Sequence, residues 1–192
     1  MSVQVIYKKQ TKFENRGVFA IFTDENFKPL KNKKILSSNE LEFLKRILKS
    51  KPKSKKKILY FDLTPEKTLI LVSIKKDHTN NDFENLGSSF YDFIKLNNFT
   101  FVNILSDTTS TNLHNSFNHF IHGFKLKSYE FEKYKSKKDL KKITIKILQN
   151  KNKPSTKDLL KFKALEEGTF CTRDLVSEPG NVLHPDEYAK RI

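Results

Sequence analysis

Glycine is scarce and scattered in this chain: five residues, at positions 17, 87, 123, 168 and 180. No two are neighbours, so neither a phosphate-cradling P-loop nor a dinucleotide fingerprint can be drawn. Nucleotide or ADP-ribose binding is thereby disfavoured. Cysteine is nearly absent. Cys171 stands alone, which excludes an internal disulfide and points to a reducing, cytoplasmic setting. No apolar run approaches the roughly eighteen residues a membrane helix needs, and the opening MSVQVIYKKQ lacks a signal-peptide core. No membrane partner is expected. Arginine is also rare, with 4 against 33 lysines.

What is present in excess is positive charge, a formal +15 over 192 residues. A basic surface can serve nucleic acid or an anionic membrane. Phosphate and base-edge recognition, however, favours the planar arginine fork, and a chain rich in Lys, Asn, Ile and Phe is what an AT-rich genome produces. Lys49 to Lys57 (KSKPKSKKK) concentrates six lysines in nine residues. Its place between a helical and a strand pattern reads as a solvated loop. A stand-alone basic module for nucleic acid is the alternative to the function reached below.

Seventeen phenylalanines and 36% apolar residues are ample for one packed core. Val3 to Tyr7 alternates as a half-exposed strand, and Gly17 to Phe22 is nearly continuous apolar, as a buried strand should be. Ser37 and Glu40 form a capping box before Leu41, Leu44, Ile47 and Leu48. Ile58–Phe61 and Leu69–Ile74 read as strands around Thr64-Pro65-Glu66. A second capping box is expected at Asn81 and Glu84, opening a helix with Phe83, Leu86, Phe90, Phe93 and Ile94 inward. Phe99 to Leu105 reads as a strand, and Leu113, Phe117, Phe120, Ile121 and Phe124 as one helical face. Ile143, Ile145 and Ile147 alternate with polar residues, as an edge strand with one wet face would. Ser155 to Asp158 caps a helix of about twenty residues, roughly 30 Å long. Interleaved strands and helices predict an α/β domain, a mixed, largely parallel sheet flanked by helices on both faces.

Candidate chemical groups are few. His78, His114, His119, His122 and His184 are the histidines. His119 and His122, three apart on a helix, could share a metal, but no Cys or carboxylate lies among residues 108–129. They read as boundary residues. Cys171 sits mid-helix with no nearby base, in a stripe of small residues (Ala164, Gly168, Thr172) that suggests close helix packing. Glu178-Pro179-Gly180-Asn181 fits a type II turn with Gly at its third position. Pro185, Asp186 and Glu187 then open a helix that stops at Ile192. From the residues alone, no catalytic, cofactor-binding or metal-binding residue is assigned. The late, freshly begun helix reads as the start of something larger.

Two segments carry a resemblance. RDLVSEPGNVLHPDEYAKRI (Arg173 to Ile192) resembles the interdomain segment of the leucine (cytosol) aminopeptidases, R-D-L-V-N-E-P, then Pro or Gly, then N-V-L-T-P. HGFKLKSYEFEKYKSKK (His122 to Lys138) resembles the same family's G-x-x-L-G-S-Y-x-F-x-K-Y-K-S stretch. Ser177, Lys127 and His184 replace the usual Asn, Gly and Thr; the last change weakens a helix cap. The resemblance implies a macro-domain-like amino-terminal domain over residues 1–150, an interdomain helix over 151–178, and the start of a carboxy-terminal catalytic domain over 179–192. It also implies, for the complete protein, removal of amino-terminal residues from peptides, two divalent cations (Zn or Mn), a homo-hexamer and a cytoplasmic location. The family's metal signature N-T-D-A-E-G-R-L has no counterpart here, so no site residue is carried over. The long helix, short of cover for its apolar stripe, is expected to be mobile or to self-associate.

Overall fold

Two runs of branched and aromatic residues, 18–22 and 69–72, lie at the centre of the sheet because each is apolar on both sides and so must be covered twice. The structure, a computed structural model, describes residues 3–9, 16–28, 36–50, 56–75, 77–108, 114–136, 142–149 and 154–192. Its elements are β1 (Val3–Lys9), β2 (Gly17–Thr23), α1 (Ser38–Ser50), β3 (Ile58–Thr64), β4 (Lys67–Ser73), α2 (Asn80–Leu96), β5 (Phe101–Leu105), α3 (His114–Lys127), β6 (Ile143–Gln149), α4 (Thr156–Ser177) and α5 (Pro185–Arg191). The six strands form one sheet in the order β1-β6-β5-β2-β4-β3. All pairings are parallel except β3 with β4, which closes the Pro65 turn as an antiparallel hairpin. The mixed α/β architecture is thus as expected.

Alternation along each strand sorts the core into two layers. Ala20, Phe22, Ile70, Val72, Ile104 and Ile147 face α2 and α3. Phe19, Ile21, Leu69 and Leu71 face α1, where Leu44 is fully buried. Phe22 stands edge-on to Phe120 at 5.3 Å, and Phe90 lies 5.4 Å from Phe120, so phenylalanine rings pack on one another in the first layer. The second layer holds one ion pair. Lys67, 2% exposed, donates to both oxygens of Glu40 at 2.8 and 3.0 Å. Burial would raise the Glu40 carboxyl, but Lys67 and the Ser37 cap outweigh it, and the net shift is downward.

The α2–α3 crossing is made at backbone distance. A methyl group at Gly87 would sit 1.9 Å from the Phe120 carbonyl oxygen, and one at Gly123 2.0 Å from that of Glu84. The two helices touch backbone to backbone because neither glycine has a side chain. At its far end α2 stops in a Schellman motif. Asn98 takes the left-handed conformation (φ 56°), its N–H donates to Lys95 O, and the Phe99 N–H donates to Ile94 O.

Three local expectations are corrected. The capping box of α2 is Thr79 with Asp82, two residues before the Asn81–Glu84 pair, because Thr79 is the residue whose extended backbone (φ −77°, ψ 169°) frees its hydroxyl for the cap. Strand β6 is interior, between β1 and β5. Its alternation reflects a half-covered second face, since Thr144 and Lys146 are only partly buried. The turn after α4 closes from Pro179 O to Val182 N at 2.9 Å, one residue later than a type II turn on Glu178 requires, and Gly180 is not in the left-handed region. The Ser37–Glu40 cap and the Ser155 cap form as expected. Leu113 and most of the lysine cluster, residues 51–55, lie outside the described residues.

Substituting Gly87→Ala or Gly123→Ala forces the two helix backbones apart. Each change is expected to lower stability by about 3 kcal/mol or more, measured by denaturant unfolding, while an exposed control such as Gly168→Ala, with nothing within 4 Å, does not.

Candidate functional site: the joint at Glu178

The stretch after α3 and the end of α4 are far apart in sequence and meet in space. Ser128 ends α3, its hydroxyl donating to Lys125 O at 2.7 Å. The next residue, Tyr129, stacks on Phe170 at 5.4 Å and donates its phenol proton to Asp174 at 2.7 Å. Arg173 donates to Leu126 O at 2.5 Å, and its guanidinium lies 5.5 Å over the Tyr129 ring. Lys133 and Tyr134 both donate to the Glu178 carboxylate. Arg191, from α5, donates to the same carboxylate at 2.9 Å and holds Glu187 at 2.9 Å.

Glu178 therefore accepts from three donors on two segments other than its own. Only 2% of its side chain reaches solvent, yet its cover is polar side chains at the surface, not apolar core. The hydrogen bond from Lys133, with those from Tyr134 and Arg191, holds its carboxyl down to about 2. The same bonds push Lys133, Tyr134 and Arg191 upward.

The amino-terminal half of α4 docks differently. Its one buried side chain among the described residues is a carboxylate, Glu166. Lys125 donates to Glu166 at 3.0 Å, and His122 Nδ1 lies 3.5 Å from it. Phe162 sits against both the His119 and the His122 ring, at 5.0 and 5.1 Å. Glu84 of α2 meets His119 Nδ1 at 2.6 Å. Burial, with the field of Glu166 added, pushes the Tyr7 phenol up to about 12.

Helix α4 is held along its length by polar and aromatic contacts from α3 and the stretch after it. Its apolar side chains are still uncovered, with Leu160 62% and Val176 81% exposed. In the small-residue stripe, no described atom lies within 4 Å of the missing side chain of Gly168, and Cys171 is exposed.

The histidines separate. His119 and His122 each find a carboxylate on another helix, invisible in a local window. His78 accepts from the Lys75 N–H at 3.3 Å. His184 occupies the cap position of α5 with no side-chain cap bond, as its replacement of Thr leads one to expect. The His114 side chain lies outside the described residues. Lys127, where the related stretch has Gly, pairs with Asp92 at 3.1 Å. Among the described residues no three His, Cys, Asp or Glu side chains converge as a metal ion requires, so the implied pair of cations finds no ligand set in them. No helix of the described residues is long and apolar enough to cross a membrane.

Glu178 was read from the sequence as turn punctuation; the fold makes it the point where both recognised segments join. Its signal was available in principle, since one segment brings Lys133 and Tyr134 and the other a carboxylate. No family model matches the chain. A probable cytosol aminopeptidase of Phytoplasma mali is 30% identical over 148 residues, covering 71% of this chain and 29% of the relative. One from Wolbachia pipientis is 28% identical over 137 residues, covering 68% and 26%. The chain is a relative of the cytosol aminopeptidases, similar to their amino-terminal region. It spans between a quarter and a third of the length of these two cytosol aminopeptidases. A tomato leucine aminopeptidase mutant shares the fold over 98% of this chain and 41% of its own, with a TM-score of 0.68 at 16% identity. A bottromycin maturation enzyme follows with a TM-score of 0.60, 14% identity, and coverage of 91% and 34%.

An unfolded glutamate takes up its proton near 4.5, and Glu178 in place only near 2. The clamp's contribution is complete above pH 4.5 and is lost as the pH falls through that interval to 2. Hydrogen exchange across residues 185–191 is expected to lose protection in that window. In Glu178→Gln, protection is expected to be reduced at neutral pH already, with the acid step gone.

Proposed function

We propose that this chain serves as the amino-terminal domain of a leucyl aminopeptidase and is itself non-catalytic. Its work is structural. It carries the segment that leads to a catalytic domain and holds that segment at a set angle. The observation that supports this reading is the Glu178 carboxylate, gripped by Lys133, Tyr134 and Arg191. Residues 129–136 come from the domain and Arg191 from the helix beyond the turn, so the grip ties one to the other across Pro179-Gly180.

The complete protein would remove amino-terminal residues from peptides in the cytoplasm. Two divalent cations, zinc or manganese, would supply a polarised, metal-bound water; their ligands would come from the catalytic domain. Homo-hexameric assembly would place this domain at the periphery, with the uncovered side of α4 available to its own catalytic domain.

The purified 192-residue chain is expected to release no leucine from a leucyl substrate, with or without added manganese or zinc. Release in proportion to protein, abolished by a chelator, would overturn the non-catalytic reading.

A further inference from the structure

The Schellman end of α2 shapes a second feature that the joint does not use. Where α2 turns into β5, a pocket of about 150 Å³ opens beside Ile143. Its floor is apolar, made by Ile94, Phe99 and Ile143, and its rim is polar, made by Lys95, Asn98 and Glu130. The floor is set in place: Ile94 and Ile143 are buried, and Phe99 is held against Phe93 at 6.4 Å and Tyr60 at 5.8 Å. Asn98 is fixed by the left-handed turn.

Size narrows the occupant. Sites for drug-sized ligands run from about 300 to 1,000 Å³, whereas a cavity of about 150 Å³ accepts an apolar group no larger than benzene, so a small aliphatic side chain enters while charged groups stay at the mouth. A nucleotide or a peptide of several residues is too large. Charge narrows it further. Lys95 and Glu130 face each other as an ion pair with side chains 48% and 27% exposed, and a pair so open to water is weakly held. A ligand that carries an anionic and a cationic group on one carbon exchanges with both halves at once, leaving neither unpaired.

We propose that this pocket binds a free α-amino acid with a branched aliphatic side chain. Its carboxylate would meet Lys95 and the Asn98 amide, its ammonium Glu130, and its side chain the Ile94–Phe99–Ile143 floor. Glu130 is one residue from Tyr129 and three from Lys133, so the pocket's rim runs on in sequence into the segment that grips Glu178. That an aminopeptidase releases such molecules rests on the proposed function; the pocket's chemistry does not.

The test is an NMR titration of the chain with L-leucine, followed at the amides of residues 94–100 and 130. A Kd on the order of 1 mM is expected for so small a ligand. N-acetyl-L-leucinamide, which lacks both charges, is expected to bind about tenfold more weakly or worse, and Lys95→Met and Glu130→Gln each to weaken leucine about tenfold. Both replaced side chains reach solvent, and a thermal melt confirms that the variants fold. Absence of shifts at these residues well above that Kd overturns the proposal, as does equal binding of the uncharged analogue. Peptidase activity is read separately: a chain that binds leucine while its full-length form releases none leaves the pocket standing and removes the aminopeptidase reading.

Discussion

Gly87 and Gly123 let α2 and α3 meet at backbone distance, and the other contacts of the carboxy-terminal third are arranged around that meeting. Because the helices are so close, Glu84 of α2 reaches His119 of α3, and the α3 face beyond it presents His122 and Lys125 to α4. The same closeness brings Phe90 and Phe124 within 6.1 Å over the sheet. A side chain at either glycine would separate the pair, and the seam for α4 would separate with it.

Helix α4 shows two modes of attachment along its length. A helix normally docks by an apolar stripe, but here the buried residue is Glu166 and most leucines face outward. A buried carboxylate is costly unless it is paired, and Lys125 supplies the pairing charge. Specific polar partners fix where the helix lies, because a shift of one turn would leave Glu166 buried without them. The exposed leucines are then free for another surface. At the other end, Glu178 is ionised over nearly the whole pH scale, which makes the joint to α5 insensitive to ordinary changes in pH.

The similarity to the cytosol aminopeptidases has its physical counterpart in this arrangement. The two recognised segments, around Tyr129 and around Arg173, are separated by strand β6 and most of α4. They meet through Tyr129 with Asp174, Arg173 with Leu126, and Lys133 and Tyr134 with Glu178. Residues on both sides of one set of contacts constrain each other. The fold as a whole tolerates wide change in sequence, as the 16% identity to the tomato enzyme at a TM-score of 0.68 illustrates.

Much of the fold was legible along the chain. Branched runs such as Gly17–Phe22, the 3.6-residue spacing of Phe83, Leu86 and Phe90, and the Ser37 and Ser155 caps report local preferences that tertiary packing did not override. The β6 strand was legible as a strand but not in its place, since alternation describes burial of one face and is silent about neighbours across the sheet. Glu84, Glu166 and Glu178 were not legible as partners at all. By itself the sequence determined which segments become helix or strand and which faces are apolar, because those depend on residues a few positions apart. The tertiary structure alone decided which charges meet, because an ion pair depends on distance in space, and Lys133 reaches Glu178 across a separation of 45 positions in the chain.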